Sequence, residues 1–158
     1  SSGFEFAGFN DWKSPIYSNQ YDAIKKIILD PNLDKNINFC IRYHPNLQKA
    51  GRMEKNIIQE ILKIKRKNLF QISYDNQIDS YDILKKSHKI LTIRSTISYE
   101  AYSEKIPVIS LAPSFADYAG FSYKPKNHHE VISMINNKLI PKVSEKSINY
   151  ALSLKKKL

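Results

Sequence analysis

The feature that most restricts how this chain folds is a repeated switch in apolar spacing, from short runs that are apolar throughout to longer stretches with a stripe at helical period. "INFCIRY", "NLFQIS", "KILTIR" and "PVISL" are runs of the first kind and read as strands. Between them lie stretches of the second kind. Tyr21 to Leu29 carries Ala23, Ile24, Ile27 and Ile28 on one side and is stopped by Asp30-Pro31. Met53 to Ile64 carries Met53, Ile57, Ile58, Ile61, Leu62 and Ile64. Asp79 or Ser80 supplies a side-chain oxygen to cap the helix "YDILKKSH", which His88 ends. The segment Thr96–Glu104 reads as a helix between the strands "KILTIR" and "PVISL". "APSFADYAG" reads as a loop, and "HHEVISMINNKL" and "SEKSINYALSLKKK" as helices separated by Pro141. Strands apolar on both faces that alternate with helices predict an α/β fold: a doubly wound, mostly parallel sheet, covered on both sides and joined by right-handed crossovers. The 158 residues are enough for one such domain, 1–158, with a sizeable core. Cys40, the single cysteine, lies inside an apolar run and reads as core filler; alone it forms neither an internal disulfide nor a cysteine zinc site.

Charge narrows the functional classes. The formal net charge of +10 invites a nucleic-acid reading, but it comes almost entirely from lysines scattered along helical faces such as "EKNIIQEILKIKRKN". No recognition motif or aromatic-interleaved basic stripe accompanies them, so nucleic acid is not the expected partner. No apolar run reaches the length of about 20 residues needed to span a bilayer, and the opening "SSGFEFAGFNDWKS" lacks the pattern of a secretion signal. A cytoplasmic protein is expected.

In an open parallel sheet, ligands sit beyond the carboxyl ends of the strands. The residues there are Arg42-Tyr43-His44-Pro45-Asn46 after the first strand and Tyr74-Asp75-Asn76 after the second. Arg94-Ser95-Thr96 follows the third, and Ala112-Pro113-Ser114 the fourth. Ser95 or Thr96 has two readings. Either hydroxyl can cap the following helix by accepting from the amides of Ile97 to Tyr99, or the same geometry can hold an anion at the helix start. Glu100, one turn into that helix, is placed to accept from a ribose diol or simply to face solvent. Arg94 faces the same cleft or forms an ion pair. His44 ends a strand and is held extended by Pro45, a setting from which an imidazole can donate to a phosphate oxygen. His128-His129 reads as a surface capping segment. With four glycines, the chain has neither GxGxxG nor a Walker motif, and it has no histidine–carboxylate triad for a metal; no cofactor or metal is expected.

"SSGFEFAG…SNQYDAIKKI", "IRYHPN", "SYDILKKSHKILTIRSTISYEAYSEKIPVISL" and "YAGF" together resemble the C-terminal, nucleotide-sugar-binding half of the capsule polysaccharide biosynthesis glycosyltransferases, bacterial enzymes of GT-B type. Their members include transferases that use CMP-activated Kdo. The resemblance covers most of the chain to about Tyr123 and rests on order: His-Pro after one strand, Ser-Thr after another, a glutamate shortly after, then a "PVI" strand.

The resemblance implies a Rossmann-like half of a two-domain protein, in which His44 with Ser95 and Thr96 holds the donor phosphate, assisted by Arg42 and Arg94. It puts Glu100 near the ribose, Tyr74 and Asp75 beside the base, and Ser2 and Glu5 at the interdomain cleft. It further implies a CMP- or UDP-activated donor, a glycan or glycolipid acceptor and an N-terminal acceptor domain that supplies the general base. This chain alone then lacks that base. No divalent cation is called for, since no Asp-x-Asp motif is present. Location at the inner face of the membrane, through peripheral association of the full-length enzyme, follows from the same resemblance. A sugar-nucleotide epimerase-like or CDP-glycerol-type transferase domain fits the pattern too, and so does an α/β binding or interaction module without chemistry.

Overall fold

A computed structural model describes residues 13–44, 47, 49 and 51–143 of the chain. The described order is α1 (Gln20–Leu29), β1 (Phe39–Arg42), α2 (Arg52–Leu62), β2 (Leu69–Ile72), α3 (Ser80–Lys85), β3 (Ile90–Thr92), α4 (Ile97–Ser103), β4 (Val108–Ser110), α5 (Phe115–Tyr118), β5 (Ser122–Tyr123) and α6 (His128–Asn136). The helix expected over 144–157 lies outside the described residues.

Among the described residues every strand pairing is parallel, as helical crossovers between successive strands allow. The ladders form two small sheets, β1-β2 and β3-β4-β5, with Phe39 opposite Leu69, Ile90 opposite Val108 and Val108 opposite Ser122. One apolar cluster joins them: Ile109 of β4, Ala23 and Ile27 of α1 and Val131, Ile132 and Ile135 of α6, with Phe39 of β1 and Leu91 of β3 packed against it. Consecutive residues of a strand face opposite ways. Val108 accordingly belongs to a second cluster, with Leu84 of α3, Ala101 of α4 and Ala116 of α5. β4 is therefore buried on both faces, with helices on either side.

The β1-β2 pair departs from that expectation. Phe39 and Ile41 point toward the α1, α2 and α6 side, Ile41 meeting Ile58 and Ile61 of α2. The opposite face carries Cys40, which is exposed, and its register partner Phe70, 59% exposed. Cys40 is thus not core filler, and among the described residues this sheet is covered on one face only. Neighbouring protein still desolvates the thiol and raises its pKa, while the charge of Arg42 pulls it the other way.

Helix ends follow their local chemistry. Asn19 caps α1 by accepting from the amides of Tyr21 and Asp22, and Asp79 rather than Ser80 caps α3 by accepting from Tyr81. α3 ends at Lys85, so His88 lies beyond it. The Arg66 guanidinium donates to the carbonyls of Ile28, in the last turn of α1, and of Leu33 and Asp34 in the loop that follows. Lys89 does the same for α6, donating to Met134, Ile135 and Asn137. "APSFADYAG" is not a plain loop. It holds α5, which ends with Gly120 at φ 79° and the Phe121 amide bonded back to the Ala116 carbonyl, a helix stop that needs a left-handed residue.

His128 is not a surface cap. Asn127 caps α6 by accepting from the Glu130 amide, while the imidazole of His128 lies between Tyr17 Oη at 2.7 Å and Asp30 Oδ2 at 2.9 Å. Because an ionised carboxylate only accepts, Nε2 carries a proton toward Asp30, and in the neutral ring Nδ1 accepts from the hydroxyl of the buried Tyr17. This chain of hydrogen bonds ties the segment before α1 and the end of α1 to the start of α6. The Asn32 amide and then His128 hold the Asp30 carboxyl below its ordinary 3.8, against some desolvation. A pKa lower in the folded than in the unfolded state stabilises the fold fully above the unfolded value, and the contribution is lost as pH falls through the folded one. Thermal melts between neutral and strongly acidic pH should therefore show a component below 3.8 that disappears in Asp30→Asn. Equal acid sensitivity of the two proteins would contradict this.

Candidate functional site

The turn from β3 into α4 is built by Thr92, not by the hydroxyls that follow it. The buried Thr92 side chain accepts from the Ser95 amide at 3.1 Å, and the Thr92 carbonyl accepts from Leu111 at 2.9 Å, fixing the tip of β3 to the end of β4. The amides of Ser98 and Tyr99 bond back to the carbonyls of Ser95 and Thr96 at 3.2 and 2.9 Å, and the Ser98 hydroxyl also donates to the Ser95 carbonyl. The first turn of α4 is closed by its own backbone. Thr96, at the cap position, makes no side-chain cap hydrogen bond. The expectation that Ser95 or Thr96 caps the helix through its hydroxyl is corrected on this point: Thr92, three residues earlier, reaches the turn first.

Arg94 precedes them with φ 53°, in the left-handed region that costs a side-chain-bearing residue about 1–2 kcal/mol. Two other such residues have local explanations. Asn68 is of the type that tolerates this backbone, and Lys105 closes α4, with the Ile106 amide bonded to the Ala101 carbonyl. Arg94 ends no helix. Its backbone serves the joint itself.

At the tip of β1 the Arg42 guanidinium is a clamp. Nη1 donates to the carbonyls of Tyr43 and Ser73 at 2.6 and 2.8 Å, and Nη2 donates to Asn76 at 3.0 Å, so Arg42 binds the loop after β2 to the end of β1. Its Nε is buried and has no partner. Much of the donor capacity expected for phosphate is thus spent on carbonyls. His44, next in the chain but one, is exposed, and its pKa is lowered chiefly by desolvation, with the charge of Arg42 adding to it. It therefore stays neutral, with a single ring N–H, to a lower pH than an ordinary histidine.

Glu100 sits in the first turn of α4. The Tyr81 hydroxyl of α3 lies 3.4 Å from Oε1, and Oε2 is buried without a hydrogen-bond partner. Arg42 Nε and Glu100 Oε2 are the buried side-chain polar atoms left unpaired among the described residues. Arg42 is the last residue of β1, and Glu100 lies in the first turn of the helix that follows β3. Tyr74 is packed with the aromatic and aliphatic cluster of Tyr21, Tyr43, Ile58 and Ile61, while Asp75 on the same loop is exposed. Ser2, Glu5 and Pro45 lie outside the described residues.

The tip of β4 carries polar groups that sequence reasoning passed over. Asp117 accepts from the Ser114 amide at 2.8 Å through Oδ2 and from the Ser122 hydroxyl through Oδ1; Ser110 Oγ lies 3.3 Å away and donates to the Ala112 carbonyl at 2.8 Å. The signal was present as Ser114-x-x-Asp117, the spacing of a reciprocal helix cap. Ser114 is thereby tied into structure. The Ser14 hydroxyl donates to the Leu111 carbonyl, which lays the segment before α1 across the same end of β4. Among the described residues no group of three metal-ligating side chains comes together. No helix of the described residues is long and apolar enough to cross a membrane.

Comparison with protein-family models, with curated proteins and with solved structures finds no match to this chain.

Proposed function

We propose that the chain binds a nucleotide-activated sugar, as the donor-binding domain of a glycosyltransferase acting in capsule or surface polysaccharide synthesis. The observation that carries this reading is the β3–α4 joint. It spends strain at Arg94 and presents Ser95 and Thr96 hydroxyls that are not used to cap the helix. Strained backbone beside uncommitted polar groups is a mark of binding sites.

Topology supports the same reading. With right-handed crossovers, a helix lies on one face when the next strand is added to one side and on the other face when it is added to the other. α2, linking β1 to β2, shares the Ile41 face, which is that of α1 and α6; α4 and α5, linking β3, β4 and β5, share the Val108 face. In the proposed arrangement β1 and β3, which belong to separate hydrogen-bonded ladders, are the inner strands of one layer, and growth of the layer reverses between them, the kind of switch beyond which ligands bind. His44 follows β1 and Ser95 follows β3. In the proposed complex the donor phosphate accepts from His44 and from the hydroxyls of Ser95 and Thr96, and Glu100 accepts from the ribose. His44 then helps stabilise the charge that develops on the leaving phosphate. The acceptor hydroxyl is deprotonated by a base from another domain.

Calorimetric titration with CMP, UDP and CDP-glycerol tests this and separates the transferase reading from the CDP-glycerol alternative. His44→Ala and Ser95→Ala should each weaken nucleotide binding by about tenfold or more, the cost of a charge-assisted hydrogen bond, with unchanged circular dichroism. Because the His44 pKa is lowered, affinity should tighten only once pH falls below the ordinary imidazole value of 6.5, and His44→Ala should abolish that gain. An α/β module without chemistry would bind none of the three nucleotides.

A further inference from the structure

We propose that β1 and β3 are docking edges for a strand from the chain's own opening segment, residues 4–7, which stands between them and joins the two ladders into one sheet. Those residues lie outside the described ones, and what surrounds the gap points to them. Phe39 of β1 and Leu91 of β3 pack against the same cluster, yet β1 and β3 are not hydrogen-bonded to each other. Each keeps an inner edge with no strand partner among the described residues. The amides of Phe39 and Tyr43 bond to the carbonyls of Asn68 and Ile72, and successive residues of a strand bond to opposite sides, so the Cys40 and Arg42 amides point away from β2. In the same way the Ile90 amide and the Thr92 carbonyl bond toward β4, so the Leu91 amide points away from it. Amides in the middle of a layered fold require acceptors.

Connectivity selects the occupant. α1 lies on the same side of the layer as α2, and it packs on α2 and on α6. By the right-handed rule, the step from a strand before α1 to β1 then runs in the same direction as the step from β1 to β2. Such a strand cannot pair with the outer edge of β2; it stands on the β3 side of β1. At the outer edge of β5 it would have to pass three strands to reach β1 and would leave the gap open. The Ser14 hydroxyl donates to the Leu111 carbonyl, so the chain comes to α1 from the carboxyl end of β4, the end at which a parallel strand must finish. The residues fit as well. "FEFA" alternates, so that Phe4 and Phe6 on the α1 side extend the cluster that Phe39 and Leu91 meet. Glu5 then falls on the Cys40 side, which is open among the described residues, rather than at an interdomain cleft. The inference stands apart from the nucleotide reading, and no nucleotide enters its test.

Amide-resolved NMR of the 158-residue chain tests it. The Cys40, Arg42 and Leu91 amides should exchange with solvent about a hundredfold or more slowly than that of Gln71, which points out from the far edge of β2. Nuclear Overhauser cross-peaks should connect residues 4–7 both to Phe39–Arg42 and to Ile90–Thr92. Glu5→Pro removes a ladder amide from a central strand and should lower the thermal midpoint by about 10 °C. Glu5→Gln keeps that amide and should shift the midpoint by less than about 2 °C. A harmless Glu5→Pro overturns the proposal, because a segment outside the sheet tolerates proline. So does exchange at Cys40, Arg42 and Leu91 as fast as at Gln71. Cross-peaks that set residues 144–158 in the gap, or β1 directly against β3, overturn it too.

Discussion

Ile109→Ala is expected to lower stability by about 3–4 kcal/mol and the thermal midpoint by roughly 10 °C. Ile109 is fully buried at the centre of β4, in the cluster that receives Phe39 from one sheet and Leu91 from the other. Removing it leaves a cavity where α1, α6 and both sheets meet, and a β4 held by helices on its other face cannot shift to close it. A domain of this size has about 5–15 kcal/mol in total, so the loss is a large share of it. Urea denaturation read by circular dichroism measures the loss. Ile109→Val should cost about 1 kcal/mol, and Cys40→Ala on the exposed face almost nothing. A loss below about 1 kcal/mol for Ile109→Ala would mean that the two sheets do not share a core.

Asp117→Ala is the second large expected effect, at about 2–4 kcal/mol. The carboxylate accepts from the Ser114 amide and the Ser122 hydroxyl, and both serines are buried. Deleting it leaves those donors without partners and removes the link between the start of α5 and β5. Asp117→Asn keeps one acceptor oxygen and should fall between the two. Hydrogen exchange should show the loss at Ser114 and in α5 before the rest of the fold responds, because α5 is a four-residue helix with little else to hold it. Equal stability of the alanine variant and the parent would remove the cluster from the account.

The architecture was legible where one signal sufficed. The stripe of α1, the apolar run of β4 and the stop at Asp30-Pro31 needed only periodicity and a breaker. Cys40 was misread because an apolar run gives the strand but not which of its faces another layer covers; that is decided by α2 packing on the Ile41 side. α5 was hidden because four residues are too short for a helical stripe, and only the Ser114-Asp117 spacing and Gly120 marked its ends. The tip of β3 shows a different kind of limit. Ser95 and Thr96 were rightly seen as sitting at a strand-to-helix joint, but Thr92, one residue type among several able to fold back on that turn, took the structural role. His128 was out of reach for a related reason, since Tyr17 and Asp30 are distant from it in sequence and only tertiary packing brings the three together.

Amide-resolved NMR of the chain titrated with CMP tests the central claim most directly, because it reads binding and location at once. The account predicts saturable shifts concentrated at Arg94–Ser98 and at Tyr43 and His44, with Phe70 and the β2 edge unmoved. Saturating shifts confined to other surfaces, or no shifts at millimolar nucleotide, would contradict it.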